Sequence, residues 1–141
     1  MTTQTQTWLH SRTDDVTRGR WGTVGLWVVQ IAAAALFLFA GGAKLAGAPM
    51  MVQLFDAIGV GQWFRYVTGA LEVTGAFLIL IPVLSGLGAL LLCCIMIGAT
   101  LAHLFVLPGS SVPAIVLFML SGMVVFAERR RLYALFVAAN R

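Results

Sequence analysis

The sequence predicts an all-α integral membrane protein: a four-helix bundle with an amphipathic helix between spans one and two. Three observations predict it. Of the 141 residues, 60% are hydrophobic and only 10% charged, where a soluble domain carries about 25% charged residues. A chain this short cannot enclose so much apolar surface in a water-soluble core. The apolar residues also fall into four runs of roughly the length that crosses a bilayer, about 17 to 25 residues.

Span one runs from Gly22 to Ala43, interrupted by Thr23 and Gln30. Before it, residues 1–21 open with the polar TTQTQT and include Asp14 and Asp15. Such a leader has little to bury and is expected to be a disordered cytoplasmic tail. The apolar run that follows is too long for a signal peptide, so a retained anchor is expected.

The connection LAGAPMMVQLFDAIGVGQ comes next. In it Met50, Met51, Leu54, Phe55 and Ile58 recur at helical spacing, with Gln53 and Asp56 opposite. Pro49 suits a first helical turn and Gly59 a stop, which predicts an amphipathic helix on the outer membrane face. Span two covers Trp63 to Val83, span three Ser85 to Leu107, and span four Val112 to Ala127. The short links PVLSG and LPGSSVP make the last three spans antiparallel neighbours. The core domain is thus 22–127, and 128–141 form a basic cytoplasmic tail.

Seven of the nine basic residues lie at the ends: Arg12, Arg18, Arg20, Arg129, Arg130, Arg131 and Arg141. Beside apolar spans these set topology and meet anionic lipid, and they do not indicate nucleic acid. Four spans put both arginine clusters on one side, so both termini are expected in the cytoplasm, in a bacterial-type inner membrane.

The polar residues inside the spans share a pattern. Counting from Arg65, the residues Thr68, Gly69, Glu72, Gly75 and Ala76 fall on one helical stripe. His103, Thr100, Ala99, Met96, Cys93, Ala89 and Gly88 do so in span three, and Gln30, Ala33, Phe37, Ala40, Gly41 and Lys44 in span one. Small and polar faces pack against partner helices and large apolar faces meet lipid. Glu72, the one carboxylate in the run from Thr68 to Ile81, should then point inward.

A charge at the bilayer centre costs about 2.5 to 3.5 kcal/mol on insertion scales. Glu72 can lower that cost by pairing with Lys44, Arg65 or His103, or by holding a proton. By helical rise Lys44, Arg65, Glu72 and His103 all belong to the outer half of the bundle. The candidate ligand-binding or proton-relay residues are therefore Lys44, Arg65, Glu72, His103, Thr100 and Thr68. The bland alternatives are an architectural ion pair at Glu72, snorkelling of Lys44 and Arg65 to phosphates, and a hydrogen-bonded structural His103.

The segments FLFAGGAKLAGAP, MVQLFDAIGVGQWFRYVTGALEVTGAFLIL and IMIGATLAHL carry a resemblance. With their ordered G-G-x-K-L, G-x-L-E-x-x-G and A-x-L-x-H elements, the chain resembles the DoxX and DoxX-like membrane family over roughly Ile31 to Phe126. The resemblance implies a four-helix membrane bundle and association with redox systems. Some relatives are membrane subunits of thiosulfate:quinone oxidoreductases. Others belong with a superoxide dismutase and a sulfurtransferase at the membrane, and distant kin are assembly or cargo factors.

The chain alone is poorly equipped for electron transfer. Bis-histidine haem is excluded because the other histidine, His10, lies in the tail, and iron–sulfur clusters because there are two cysteines. Cys93 and Cys94 read as buried small hydrophobes. GVGQWF lacks the third glycine and the strand of a dinucleotide site, and no constellation has metal-ligand spacing. No cofactor is expected within the chain itself, though a bound quinone fits the polar residues. A complete enzyme is not expected. The leading expectation is a membrane subunit of a quinone- or sulfur-compound-linked redox assembly, with a polar pocket in the outer half. A non-enzymatic assembly scaffold is the alternative, and a small transporter or proton relay comes third. Expected partners are lipid, other membrane or redox proteins, and a second copy of the chain.

Overall fold

The structure is a computed structural model. It describes the backbone of residues 3–107 and 109–139, and the side chains of 22–107, 109–130, 132, 133, 137 and 138. The described residues form five helices and no strand: α1 (Thr3–Leu45), α2 (Pro49–Ile58), α3 (Gln62–Leu80), α4 (Ser85–Phe105) and α5 (Val112–Ala139).

Local sequence accounts for the helix ends. Ala48 and Ile81 both precede a proline, which disfavours the helical region for the residue before it. They are extended, at φ −51°, ψ 133° and φ −91°, ψ 115°, and they separate α2 from α1 and end α3. Pro49 takes the first turn of α2, where its missing N–H is no loss. Gly59 closes that helix at φ +78°, a left-handed conformation that glycine adopts without a steric penalty.

The helix bounds differ from expectation at both termini of the chain. Residues 3–21, expected as a disordered tail, have helical backbone continuous with span one. No proline interrupts that stretch, and extending an existing helix costs far less than nucleating one. The backbone of 128–139 continues α5, so the helix of span four extends past Ala127.

Among the described residues, three stretches are long and apolar enough to cross a membrane: Gly22–Leu45, Ser85–Phe105 and Val112–Arg130. The second expected span does not reach that apolarity. Its helix, α3, has 19 residues, and Gln62, Arg65 and Glu72 dilute it. Three of the four expected spans thus have the length and apolarity to cross a membrane, and α3 falls short of that apolarity on composition alone.

α1 packs on α3 and α5, α3 on α4, and α4 on α5, so the four long helices close a ring. Its centre holds Phe37, Ala76, Ile79, Ala89, Leu92, Met96, Ala114 and Val124. Large apolar side chains cover the outside, with Phe39 79%, Phe105 82% and Phe126 69% exposed. This inside-out distribution is that of a lipid-facing surface.

Glycines set how closely α3 approaches its neighbours. A Cβ on Gly41 of α1 would lie 2.9 Å from the Gly69 carbonyl oxygen, and one on Gly88 of α4 would lie 2.7 Å from the Ile79 nitrogen. Both contacts are with backbone, which cannot swing aside. The glycines therefore let α1 and α4 press onto the two sides of α3.

Candidate functional site

Of the expected stripe of α3, Arg65, Gly69, Glu72, Gly75 and Ala76 are buried, Thr68 is half-buried, and Ile79 extends the buried face. Close packing of Gly41 against Gly69 brings the end of α1 down onto it. The Cβ of Lys44 stands 3.0 Å from where a Gly69 Cβ would be. From that point the lysine chain extends one turn further along α3. Its Nζ donates to both carboxylate oxygens of Glu72, at 2.9 and 2.7 Å. Glu72 is 1% exposed. Of the pairings open to it, the structure selects Lys44.

Arg65 is 3% exposed and turns inward too. Its Nη1 donates to the Lys44 carbonyl oxygen, one of the carbonyls that the last turn of a helix leaves without an intrahelical partner. A cation there also suits the negative end of the helix dipole. Arg65 Nε donates to Gln62 Oε1 at 2.7 Å. Gln62 Nε2 in turn donates to the Val52 carbonyl at 2.9 Å and to Asp56 Oδ1 at 2.7 Å, both on α2. Neither Lys44 nor Arg65 snorkels to the surface. A continuous polar network joins exposed Asp56 to the Lys44 backbone, and the same lysine carries Glu72.

The two threonines stand apart from this network. Thr68 Oγ1 lies 3.0 Å from the Phe64 carbonyl and 3.1 Å from that of Arg65, and Thr100 Oγ1 donates to the Met96 carbonyl at 2.7 Å. Each has one hydroxyl proton, and it is already used within its own helix.

His103 occupies the last turn of α4. The antiparallel register follows from the α3–α4 contacts, Gly88 against Leu78 and Ile79, and Gly75 against Leu92. Continued outward, that register sets Met96 level with Glu72, and His103 level with Phe64 and Arg65. No hydrogen bond joins His103 to Glu72 or Lys44. Its Nδ1 is buried without a hydrogen-bond partner. Thus Lys44, Arg65 and Glu72 form one cluster, and His103 stands at the same end of the molecule about two turns beyond the carboxylate.

Sequence reasoning missed Gln62 and assigned Asp56 only to the polar face of α2. The i, i+3 spacing of Gln62 and Arg65 was the available signal, since such residues are neighbours on a helix. The cysteines also separate: Cys93 is buried, and Cys94, expected to be buried, is exposed. Successive helical residues lie about 100° apart, so one face cannot hold both. Among the described residues no group of three metal-ligating side chains is assembled.

Curated protein sequences and solved structures gave no significant match. Residues 28–126 match the DoxX-like family. That range takes in the Gly41–Gly69 contact, the Lys44–Glu72 pair, the Arg65 network and His103. By this match, over most of its length, the chain belongs to the DoxX-like family.

Proposed function

We propose that the chain is the membrane subunit of a redox assembly, with a polar intramembrane pocket that takes a quinone headgroup or a small sulfur compound. In this reading α3 is a fourth span. Its 19 residues reach about 28 Å at 1.5 Å per residue, close to the hydrocarbon thickness. Its two charged side chains are turned away from lipid and partnered. Four spans place both arginine-rich termini in the cytoplasm and α2 on the outer face of a bacterial-type inner membrane.

The observation that carries the proposal is the buried, unpartnered Nδ1 of His103, at the end of the helices that also holds Lys44 and Glu72. Leaving a buried polar atom unpaired costs about 1–3 kcal/mol. A carbonyl or oxyanion of a ligand would remove that cost by accepting from an Nδ1–H. The Lys44 ammonium has three N–H groups, and two are engaged by Glu72. The third is a second donor for the ligand. Reduction of a quinone also takes up two protons, for which Glu72 is a relay, with the electrons coming from a partner redox protein.

Purification in mild detergent, solvent extraction and mass spectrometry test the reading. Retention of a quinone or sulfur compound by the wild type, and its loss in Glu72→Gln and His103→Phe, is the expected result. No bound molecule, together with unchanged respiration in Glu72→Gln, overturns it.

A second reading is a non-enzymatic assembly scaffold. It is favoured by the engagement of both Glu72 oxygens and of Arg65 in ties among α1, α2 and α3. In that case Glu72→Gln leaves partner recruitment intact, and substitutions at exposed Met50 of α2 abolish it.

A further inference from the structure

We propose that α2 is a hinged cover over the Lys44–Glu72 pair, and that Gln62 is its latch. The inference rests on the reading that this pair belongs to a working site. α2 is ten residues long and buries only Phe55 among its side chains. It meets α3 through the Phe55–Phe64 ring contact at 5.9 Å and through Gln62. Glycines with positive φ flank it on both sides: Gly47 at +73°, Gly59 at +78° and Gly61 at +102°. Glycine crosses between left- and right-handed backbone with little steric penalty, so these positions can absorb a rotation of the helix between them.

Gln62 connects this cover to the buried cluster. Its amide nitrogen holds α2 at Val52 and Asp56, and its amide oxygen accepts from Arg65 Nε. Arg65 is bonded to the Lys44 carbonyl and lies beneath the Gly47 turn, with Nη1 3.6 Å from a Cβ position on that glycine. Movement of α2 away from α3 breaks both Gln62 Nε2 bonds. The face of α3 below Arg65 then opens to the aqueous side that carries α2. The Lys44–Glu72 bonds are separate from the latch and survive its release. The side chain of Lys44 is already 14% exposed while the cover is closed.

Cysteine accessibility in the full-length protein tests this directly. Cys93 and Cys94 are replaced by alanine and Thr68→Cys is introduced one turn below Arg65. Reconstituted vesicles are treated from the α2 side with a charged, membrane-impermeant methanethiosulfonate reagent. With Gln62 intact, labelling is slow. Gln62→Ala speeds it tenfold or more. Gln62→Glu does the same, because it keeps the oxygen that Arg65 uses but sets a carboxylate against Asp56. Ala76→Cys, at the packed centre, reports general loosening and stays unlabelled in every background. An unchanged rate at Thr68→Cys in both Gln62 variants overturns the proposal, as does equal acceleration at Ala76→Cys. Labelling reads access alone, so its failure is distinct from failure to find a bound quinone or sulfur compound.

Discussion

Lys44 reaches from the last turn of α1 to Glu72, one turn deeper on α3 than its own Cβ contact, and places Nζ within 2.9 Å of both carboxylate oxygens. The direction of that reach matters. A lysine at the end of a span can cheaply extend its amine outward to water and phosphate. Here the chain turns inward, and the carboxylate at the far end is 1% exposed. Each charge makes the other tolerable at that depth.

Removing one member of the pair should therefore cost more than removing both. Breaking a buried pair by deleting one partner typically costs about 3–5 kcal/mol, whereas an apolar replacement of the whole pair is close to neutral. Lys44→Met and Glu72→Leu alone are expected to lower the Tm sharply in detergent, with Glu72→Leu at the mild end because the lysine it leaves behind has a partly exposed side chain that can turn outward. The double variant is expected to recover most of the loss. A double-mutant cycle of thermal unfolding checks this.

Arg65 bridges two acceptors with different nitrogens of one planar group, Gln62 Oε1 and the Lys44 carbonyl. Lysine has a single amine and cannot reproduce the fork. Arg65→Lys should lose about 1.5–3 kcal/mol, the range for a hydrogen bond to a charged group. Chemical unfolding with wild type and variant in the same micelle measures it.

The glycines divide into those in contact and those in the open. Gly88→Ala pushes a methyl to 2.7 Å from α3 backbone and should destabilise by about 1–3 kcal/mol, the usual effect of overpacking. Gly98 has nothing within 4 Å of its Cβ position. Gly98→Ala is expected to be neutral or to stabilise by up to about 1 kcal/mol through helix propensity. Tm measurements on the two variants should move in opposite directions or differ by at least several degrees.

His103 should behave as a group kept at a cost to stability. Replacing it with Phe removes the unpaired Nδ1, so His103→Phe is expected to raise the Tm of the ligand-free protein while abolishing retention of a quinone or sulfur compound. Lower stability together with unchanged ligand retention would give His103 a structural role.

Composition and periodicity determined a good deal by themselves. The membrane class followed from too much apolar surface on too short a chain. The start and stop of α2 followed from Pro49 and Gly59, whose backbone restrictions are local. The inward stripe of α3 followed from the 3.6-residue period, which assigns Arg65, Gly69, Glu72 and Gly75 to one face wherever the helix sits. The same period places Lys44 on the inward face of α1. Partner choice was decided only in three dimensions. Whether Glu72 met Lys44, Arg65 or His103 depended on how far α1 and α4 slide along α3, and that slide is set by backbone contacts at Gly41, Gly69 and Gly88. Glycine has no side chain whose pattern could announce the register. The role of Gln62 was hidden for the same reason: its contacts with α2 come from a fold-back across Gly59 and Gly61, and a helical repeat in the sequence does not encode how two helices meet after a turn.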